Sequence, residues 1–354
     1  MSTIGNQLQP EILPTSRSSN TATTTIAIND HAAANNKQRN YQVFPGQNRF
    51  FCQGRLMTSR EYWAFLTALV ILLVPSALFF AFTCPWLWIN IHPSVPIIFA
   101  YLFVLAMASM LKTSWTDPGI VPRNLHPMST TARDHNRYSV SYDDMWPQNM
   151  PLPKEVQVKD QIVRLKYCDT CQLYRPPRAS HCRQCNNCVE NEDHHCIWLN
   201  NCIGRRNYRS FFVFVTVATL MCFYAFAFSF VHVYTLFTSK YPYSFVDALA
   251  AAPLSFVVFL LCFVLMWSVG GLSGYHCYLV MRNVTTHEQL RNSVMSRPYP
   301  PNPFNFGNAV SNFWYVLCRP QPKSYIGRRK QFVPSSPYPS AVDNNTSEPV
   351  WNYG

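Results

Sequence analysis

Four stretches without a charged residue constrain this chain more than any other feature. Tyr62 to Cys84 and Pro93 to Leu111 are each close to the roughly 20 residues a helix needs to cross a hydrocarbon core. Phe211 to Phe237 and Pro253 to Met281 are longer, and none of the four holds Asp, Glu, Lys or Arg. Helical hydrogen bonding inside each stretch satisfies the backbone where no water is available. Buried helices of a soluble protein are the competing reading, but four such stretches rarely occur in one soluble chain of 354 residues. A mean hydropathy of −0.05 conceals the contrast, because Ser, Thr, Asn, Pro and charge fill the rest. The expected fold class is an α-helical polytopic membrane protein with transmembrane helices at 62–84, 93–111, 211–237 and 253–281.

Lys and Arg beside the spans set the orientation, since cytoplasmic flanks are enriched in them. Six precede Tyr62, thirteen lie between Lys112 and Phe211, and eight follow Met281. Pro85 to His92 has none, and Thr238 to Ala252 has only Lys240. Both termini and the central loop are therefore expected in the cytoplasm. The net charge of +12 fits basic flanks on anionic lipid and attraction for an anionic substrate. A nucleic-acid partner is not expected, because the basic residues are spread over membrane flanks and no recognition module is present.

The N-terminus shows neither a short apolar run of the secretory type nor the Gly required for myristoylation. Residues 1–48 include the polar run from Thr15 to Asn36, and 334–354 are rich in Pro, Ser and Asn. Both are expected to be disordered for lack of apolar surface to offset ordering entropy. No internal repeat is seen, and 282–333 form a C-terminal segment after the last span.

The chemistry is concentrated in the loop at 115–210, where seven of the thirteen cysteines lie between Cys168 and Cys202. In a reduced cytoplasmic loop, clustered Cys and His more often bind metal or perform catalysis than form disulfides. The order is Cys168, Cys171, His181, Cys182, Cys185, Cys188, His194, His195, Cys196, Cys202. Two Cys3His zinc sites would use six of these cysteines and two histidines. One Cys and one His remain. Binding worth roughly 10–16 kcal/mol per structural zinc would stabilise a loop with few apolar residues for a core of its own. A purely structural interaction module accounts for the ligands but not for Asp193-His194-His195-Cys196.

That tetrapeptide reads as a nucleophile with its activating group. A free thiol is mostly protonated at neutral pH, and a neighbouring His can take its proton while a carboxylate orients the imidazole. Cys196 is the nucleophile; Asp193 and one of the two histidines activate it, and the other histidine binds zinc. A hydrolase is conceivable on these residues alone, but the membrane setting argues for a lipid-borne substrate.

The run from Cys168 through Phe212 resembles the cysteine-rich domain of the Asp-His-His-Cys protein palmitoyltransferases. The residues that carry the likeness are Arg175-Pro176-Pro177-Arg178, His181-Cys182, Asp193-His194-His195-Cys196-Ile197-Trp198 and Asn200-Asn201-Cys202-Ile203-Gly204, followed by Asn207 and Phe211. Outside it stand Asp117-Pro118-Gly119 after the second span, Thr285-Thr286-His287-Glu288 after the fourth, and Asn302-Pro303-Phe304 with Gly307 and Asn312.

The resemblance implies two structural zinc ions, one on Cys168, Cys171, His181 and Cys188, the other on Cys182, Cys185, His195 and Cys202. It implies palmitoyl-CoA as acyl donor, Cys196 as the acylated residue, His194 as general base and Asp193 as its orienting partner. Thr286 resembles the family threonine that supports this Asp, and Arg175 and Arg178 are expected to contact the coenzyme A phosphates. Within the family the chain looks most like the fungal Ras-directed members of the endoplasmic reticulum. Its partners would then be Ras-like GTPase acceptors and a small accessory subunit.

Membrane helices suit such chemistry. Moving the roughly 14 methylenes of a palmitoyl chain into water at about 0.8 kcal/mol each would cost on the order of 11 kcal/mol. The chain must stay in lipid or in an apolar cavity. Gly270, Gly271 and Gly274 are read as helix-packing positions, Cys222, Cys262 and Cys277 as apolar fillers, and Pro75 as a kink in the first helix. His232 and His276 are polar groups near span ends, within reach of interfacial water.

Overall fold

The computed structural model describes residues 38–127, 151–159, 161–239, 244–294 and 301–333. The disorder expected of 334–354 and of 1–37 lies outside the described residues, as does Lys240. Residues 38–48, also expected to be disordered, are instead held: Asn40 and Tyr41 donate backbone hydrogen bonds to Lys330 and Arg328, and Phe332 donates to Gln38. This pairing of two distant segments is invisible in local composition.

Among the described residues four helices are long and apolar enough to cross a membrane: Trp63–Asn90, Ser94–Trp115, Tyr208–Thr238 and Pro253–Arg282. The first reaches further than 62–84 because Cys84–Asn90 adds an uncharged helical segment after one π-helical turn, Phe79–Thr83. The wider turn accommodates Pro85, which lacks the N–H that an α-helix would use. The third span is central, packing on the fourth along its length and on the second. Phe79 and Phe99, both fully buried, join the first and second spans with ring centroids 4.3 Å apart. Outward apolar side chains such as Val70, Val104, Leu220 and Trp267 are exposed on the helices, as a lipid-facing surface requires.

Between the second and third spans the described residues make four short antiparallel hairpins: Lys154–Val158 with Gln161–Leu165, Tyr167–Cys168 with Leu173–Tyr174, Ser180–Cys182 with Asn187–Val189, and His194–Cys196 with Asn201–Ile203. Isolated hairpins of this size are marginal without further cross-linking. Their attachment to the membrane helices is polar and specific. The Asn201 amide donates to the carbonyls of Thr113, Ser114 and Thr116, closing the end of the second span, where orphan carbonyls would otherwise remain. The Asn207 amide donates to Thr113 and Cys202, while its oxygen accepts from Gly204 N–H. Gly204 has no room for a side chain, since an added Cβ would lie 2.6 Å from Val189 and 2.7 Å from the Pro118 carbonyl. Asp117 accepts from the N–H groups of Gly119 and Ile120 and pairs with Arg206 at 2.8 Å, fixing the exit of the second span.

After the fourth span, Asn283 adopts a left-handed conformation (φ 48°) and turns the chain into helix Thr286–Val294. A further helix, Ala309–Cys318, is capped by the Asn308 side chain.

Candidate active site and metal centres

The eight expected ligands form two groups of four: Cys168, Cys171, His181 and Cys188, and Cys182, Cys185, His195 and Cys202. In the first, His181 Nδ1 lies 3.5, 3.4 and 3.7 Å from the sulfurs of Cys168, Cys171 and Cys188. In the second, His195 Nδ1 lies 3.5, 3.4 and 3.5 Å from Cys182, Cys185 and Cys202. A tetrahedral zinc with Zn–S of about 2.3 Å and Zn–N of about 2.0–2.1 Å puts S and N about 3.6 Å apart. Both sets therefore have the donor chemistry and the dimensions for zinc. Each set joins two hairpins, so a bound ion would supply the cross-link they lack.

Strand alternation decides the division of labour between the histidines. Successive side chains in a strand point to opposite faces. Within His194–Cys196, His195 turns towards the sulfurs, which leaves His194 and Cys196 together on the other face. The sequence alone left open which histidine served which purpose.

His194 Nδ1 is 2.7 Å from Asp193 Oδ2. Asp193 is buried and also accepts from Thr286, by its N–H at 2.9 Å and its hydroxyl at 2.7 Å. Burial disfavours an imidazolium at His194, yet the hydrogen bonds with Asp193 and Cys196 outweigh it and raise its pKa to about 10. Burial likewise opposes ionisation of Asp193, but the bonds from His194 and Thr286 hold its pKa below the usual carboxylate value. With Nδ1 engaged by Asp193, Nε2 is the nitrogen left for the thiol proton.

Cys196 is buried and lines a cavity of about 310 Å³ among the spans, whose walls include Leu72, Phe99, Phe214, Met221 and Leu265. The thiol thus borders both the polar dyad and an apolar chamber.

Arg178 is not placed as expected. Its guanidinium, 6% exposed, gives two hydrogen bonds to the Glu288 carboxylate at 2.8 and 2.7 Å and two more to Asn283. It also lies over the Phe304 ring. These donors are committed to holding the C-terminal segment, so Arg178 is a structural clasp and not a phosphate contact. Arg175 instead stands in a basic group: the pKa of Lys166 is lowered first by the charge of Arg291, then by burial, then by Arg175. The sequence offered no sign of this grouping, nor of Glu288 as partner to Arg178.

His276 is buried and its ring centroid is 6.0 Å from that of His194, so it belongs to the site and does not reach interfacial water. His232 is also internal, bonded to Ser255 and stacked on Trp86.

This architecture defines a module in which two Cys3His sets hold Cys196 between an Asp–His pair and an apolar cavity among four candidate membrane spans. Residues 161–293 match the family described as DHHC palmitoyltransferase. Palmitoyltransferase ZDHHC14 of Homo sapiens is 40% identical over 309 residues, covering 87% of this chain and 63% of that protein. Palmitoyltransferase ZDHHC9 of Bos taurus is 40% identical over 291 residues, covering 82% and 79%. Palmitoyltransferase ZDHHC18-A of Danio rerio is 38% identical over 318 residues, covering 89% and 66%. The chain belongs to the DHHC palmitoyltransferase family.

Proposed function

We propose that the protein is a protein-cysteine S-palmitoyltransferase that carries palmitate from palmitoyl-CoA on Cys196 and passes it to cysteines of membrane-associated proteins. The observation that carries this reading is the position of Cys196, beside the Asp193–His194 pair and lining an apolar cavity among the spans. His194 Nε2 takes the Cys196 proton. The thiolate attacks the palmitoyl carbonyl, a new C–S bond forms, the old one breaks, and coenzyme A leaves as a thiol with the proton returned by His194. The acceptor cysteine repeats the sequence against the Cys196 thioester. Bond energies nearly balance, so the protein's task is to supply a thiolate and to bring two membrane-held partners together.

Zinc at the two Cys3His sets would hold the hairpins and, through His195, the strand that carries His194 and Cys196. The charges of Arg291 and, less strongly, Arg175 act on Lys166, and a basic group of this kind favours a bound phosphate, which makes the three the candidate coenzyme A contacts. Ras-type GTPases as acceptors, a small accessory subunit and residence in the endoplasmic reticulum membrane with both termini cytoplasmic complete the proposal. The first three rest on the likeness of Asp117 to Asn124, Ile197 to Arg209 and Leu317 to Pro320 to the Ras-directed members, and the orientation on the Lys and Arg asymmetry.

The test is incubation of purified protein with labelled palmitoyl-CoA and no acceptor. Hydroxylamine-sensitive label on Cys196, absent in Cys196→Ala, is the expected result. Label at the wild-type rate in Cys196→Ala would overturn the relay. A Ras-like acceptor, with the accessory subunit present, should then drain the label. Asn344-Asn345-Thr346 is an acceptor sequence for N-glycosylation, and glycan found on native Asn344 would refute a cytoplasmic C-terminus.

A further inference from the structure

Phe211 and His276 lie against His194, and Tyr208 lies against both of them. Ring centroids lie 5.4 Å apart for His194–Phe211, 4.8 Å for Phe211–His276 and 5.9 Å for Tyr208–His276. In this aromatic setting a phenyl ring at 276 would fill similar space without the cost of burying an imidazole inside a span. The imidazole has one hydrogen bond that a phenyl could not make: Tyr208 Oη is 3.1 Å from its Nδ1. That bond joins the first residue of the third span to the fourth span.

A positioning need exists at this point. The hydrogen bond to Asp193 fixes one nitrogen of His194, but the ring can still turn about that anchor, because the terminal torsion of a histidine is broad and roughly two-fold. The direction of Nε2, and hence its alignment with the Cys196 sulfur, depends on what packs against the ring faces. His276 is one of those groups, and its own ring has the same freedom unless a hydrogen bond removes it.

We propose that Tyr208 and His276 are a positioning pair for the general base: Tyr208 sets the plane of the His276 ring, and His276 with Phe211 sets the plane of His194. Neither is among the residues lining the cavity at Cys196, and the proposal rests on the acyltransferase reading above. Asp193, His194 and His276 also present ligand atoms within 4.8 Å of one another, close enough to hold an ion. Those of Asp193 already accept from His194 and Thr286, and Nδ1 of His276 is engaged by Tyr208, so hydrogen bonds account for the cluster without a third metal.

The test uses the full-length protein and the variants Tyr208→Phe and His276→Phe, which keep a ring and remove the bond. Each is expected to slow Cys196 acylation at saturating palmitoyl-CoA by about tenfold, the scale of one lost hydrogen bond. The KM for palmitoyl-CoA should stay within about twofold, and zinc content should be unchanged. The double variant should be no slower than the slower single one, since both remove the same bond. Wild-type rates in both single variants would show that ring packing alone suffices and would overturn the proposal. So would effects that multiply in the double variant, or loss of a third equivalent of zinc in His276→Phe. If His276→Phe fails to fold, Tyr208→Phe decides by itself. Absence of acyl-Cys196 in the wild type would instead sink the acyltransferase reading.

Discussion

Thr286 and Asp193, 93 residues apart in sequence, are joined by two hydrogen bonds, from the threonine hydroxyl to Oδ2 at 2.7 Å and from its N–H to Oδ1 at 2.9 Å. The start of the helix after the fourth span thereby supports the carboxylate that holds His194. A hydrogen bond to a charged group is worth about 1.5–3 kcal/mol. Thr286→Ala is expected to slow acylation of Cys196 by roughly ten- to hundredfold, while Thr286→Ser restores most of the rate. Single-turnover labelling with palmitoyl-CoA checks this, and a wild-type rate in Thr286→Ala would remove Thr286 from the site.

The Arg178–Glu288 clasp makes a different kind of prediction, about stability. Removing one partner of a buried pair leaves the other uncompensated, at a cost of roughly 3–5 kcal/mol. Arg178→Met should lower the thermal unfolding midpoint markedly, and Arg178→Met/Glu288→Met should recover much of the loss. Arg175→Glu should do something else: raise the KM for palmitoyl-CoA with the midpoint unchanged. Matching effects of Arg175→Glu and Arg178→Met on KM would contradict the division drawn between them.

Metal content should distinguish ligands from the nucleophile. The protein is expected to hold two zinc ions per chain, with one lost in Cys171→Ala or Cys185→Ala and both kept in Cys196→Ser. Elemental analysis of the purified variants reads this directly. A Cys196→Ser protein short of one zinc would refute the grouping of ligands.

The contact between His287 and Glu192, 3.0 Å apart, should make docking of the Thr286–Val294 helix depend on pH. The hydrogen bond to Glu192 raises the His287 pKa, and burial opposes it less strongly. A raised folded-state value means that the stabilisation is fully present below the unfolded value of about 6.5 and is lost as pH climbs through the folded one. Amide exchange in residues 286–294, corrected for its intrinsic pH dependence, should be better protected at pH 6 than at pH 9. In His287→Asn that difference should shrink, and an undiminished difference would assign it to other groups.

Much of this was readable from residue order, for identifiable reasons. The four spans follow from the absence of charge, and the two Cys3His sets from Cys and His spacing completed by a family likeness. What was hidden depends on register and distance. His194 and His195 are adjacent and chemically alike, so residue chemistry left their roles open and only the family likeness separated them; the strand geometry supplies the physical reason, sending one to the sulfurs and the other to Asp193. Arg178 looked like a phosphate contact because its partner Glu288 lies 110 residues further on. His276 looked interfacial because its depth is set by how the fourth span packs on Tyr208 and Phe211. The first span was read too short at 62–84, whereas a π-helical turn carries the helix past Pro85 to Asn90.

The alternation along His194, His195 and Cys196 also creates a vulnerability. On the proposed roles a metal ligand is threaded between base and nucleophile, so oxidation of Cys182, Cys185 or Cys202 would stop acyl transfer without any reaction at Cys196. Two kinds of inhibitor follow. An acyl-like electrophile that caps Cys196 leaves zinc in place and is undone only by cleaving the adduct. An oxidant or chelator aimed at the second metal centre ejects zinc and leaves the Cys196 thiol chemically intact, so reductant and fresh zinc should bring activity back. Zinc release measured beside activity would sort compounds into the two kinds.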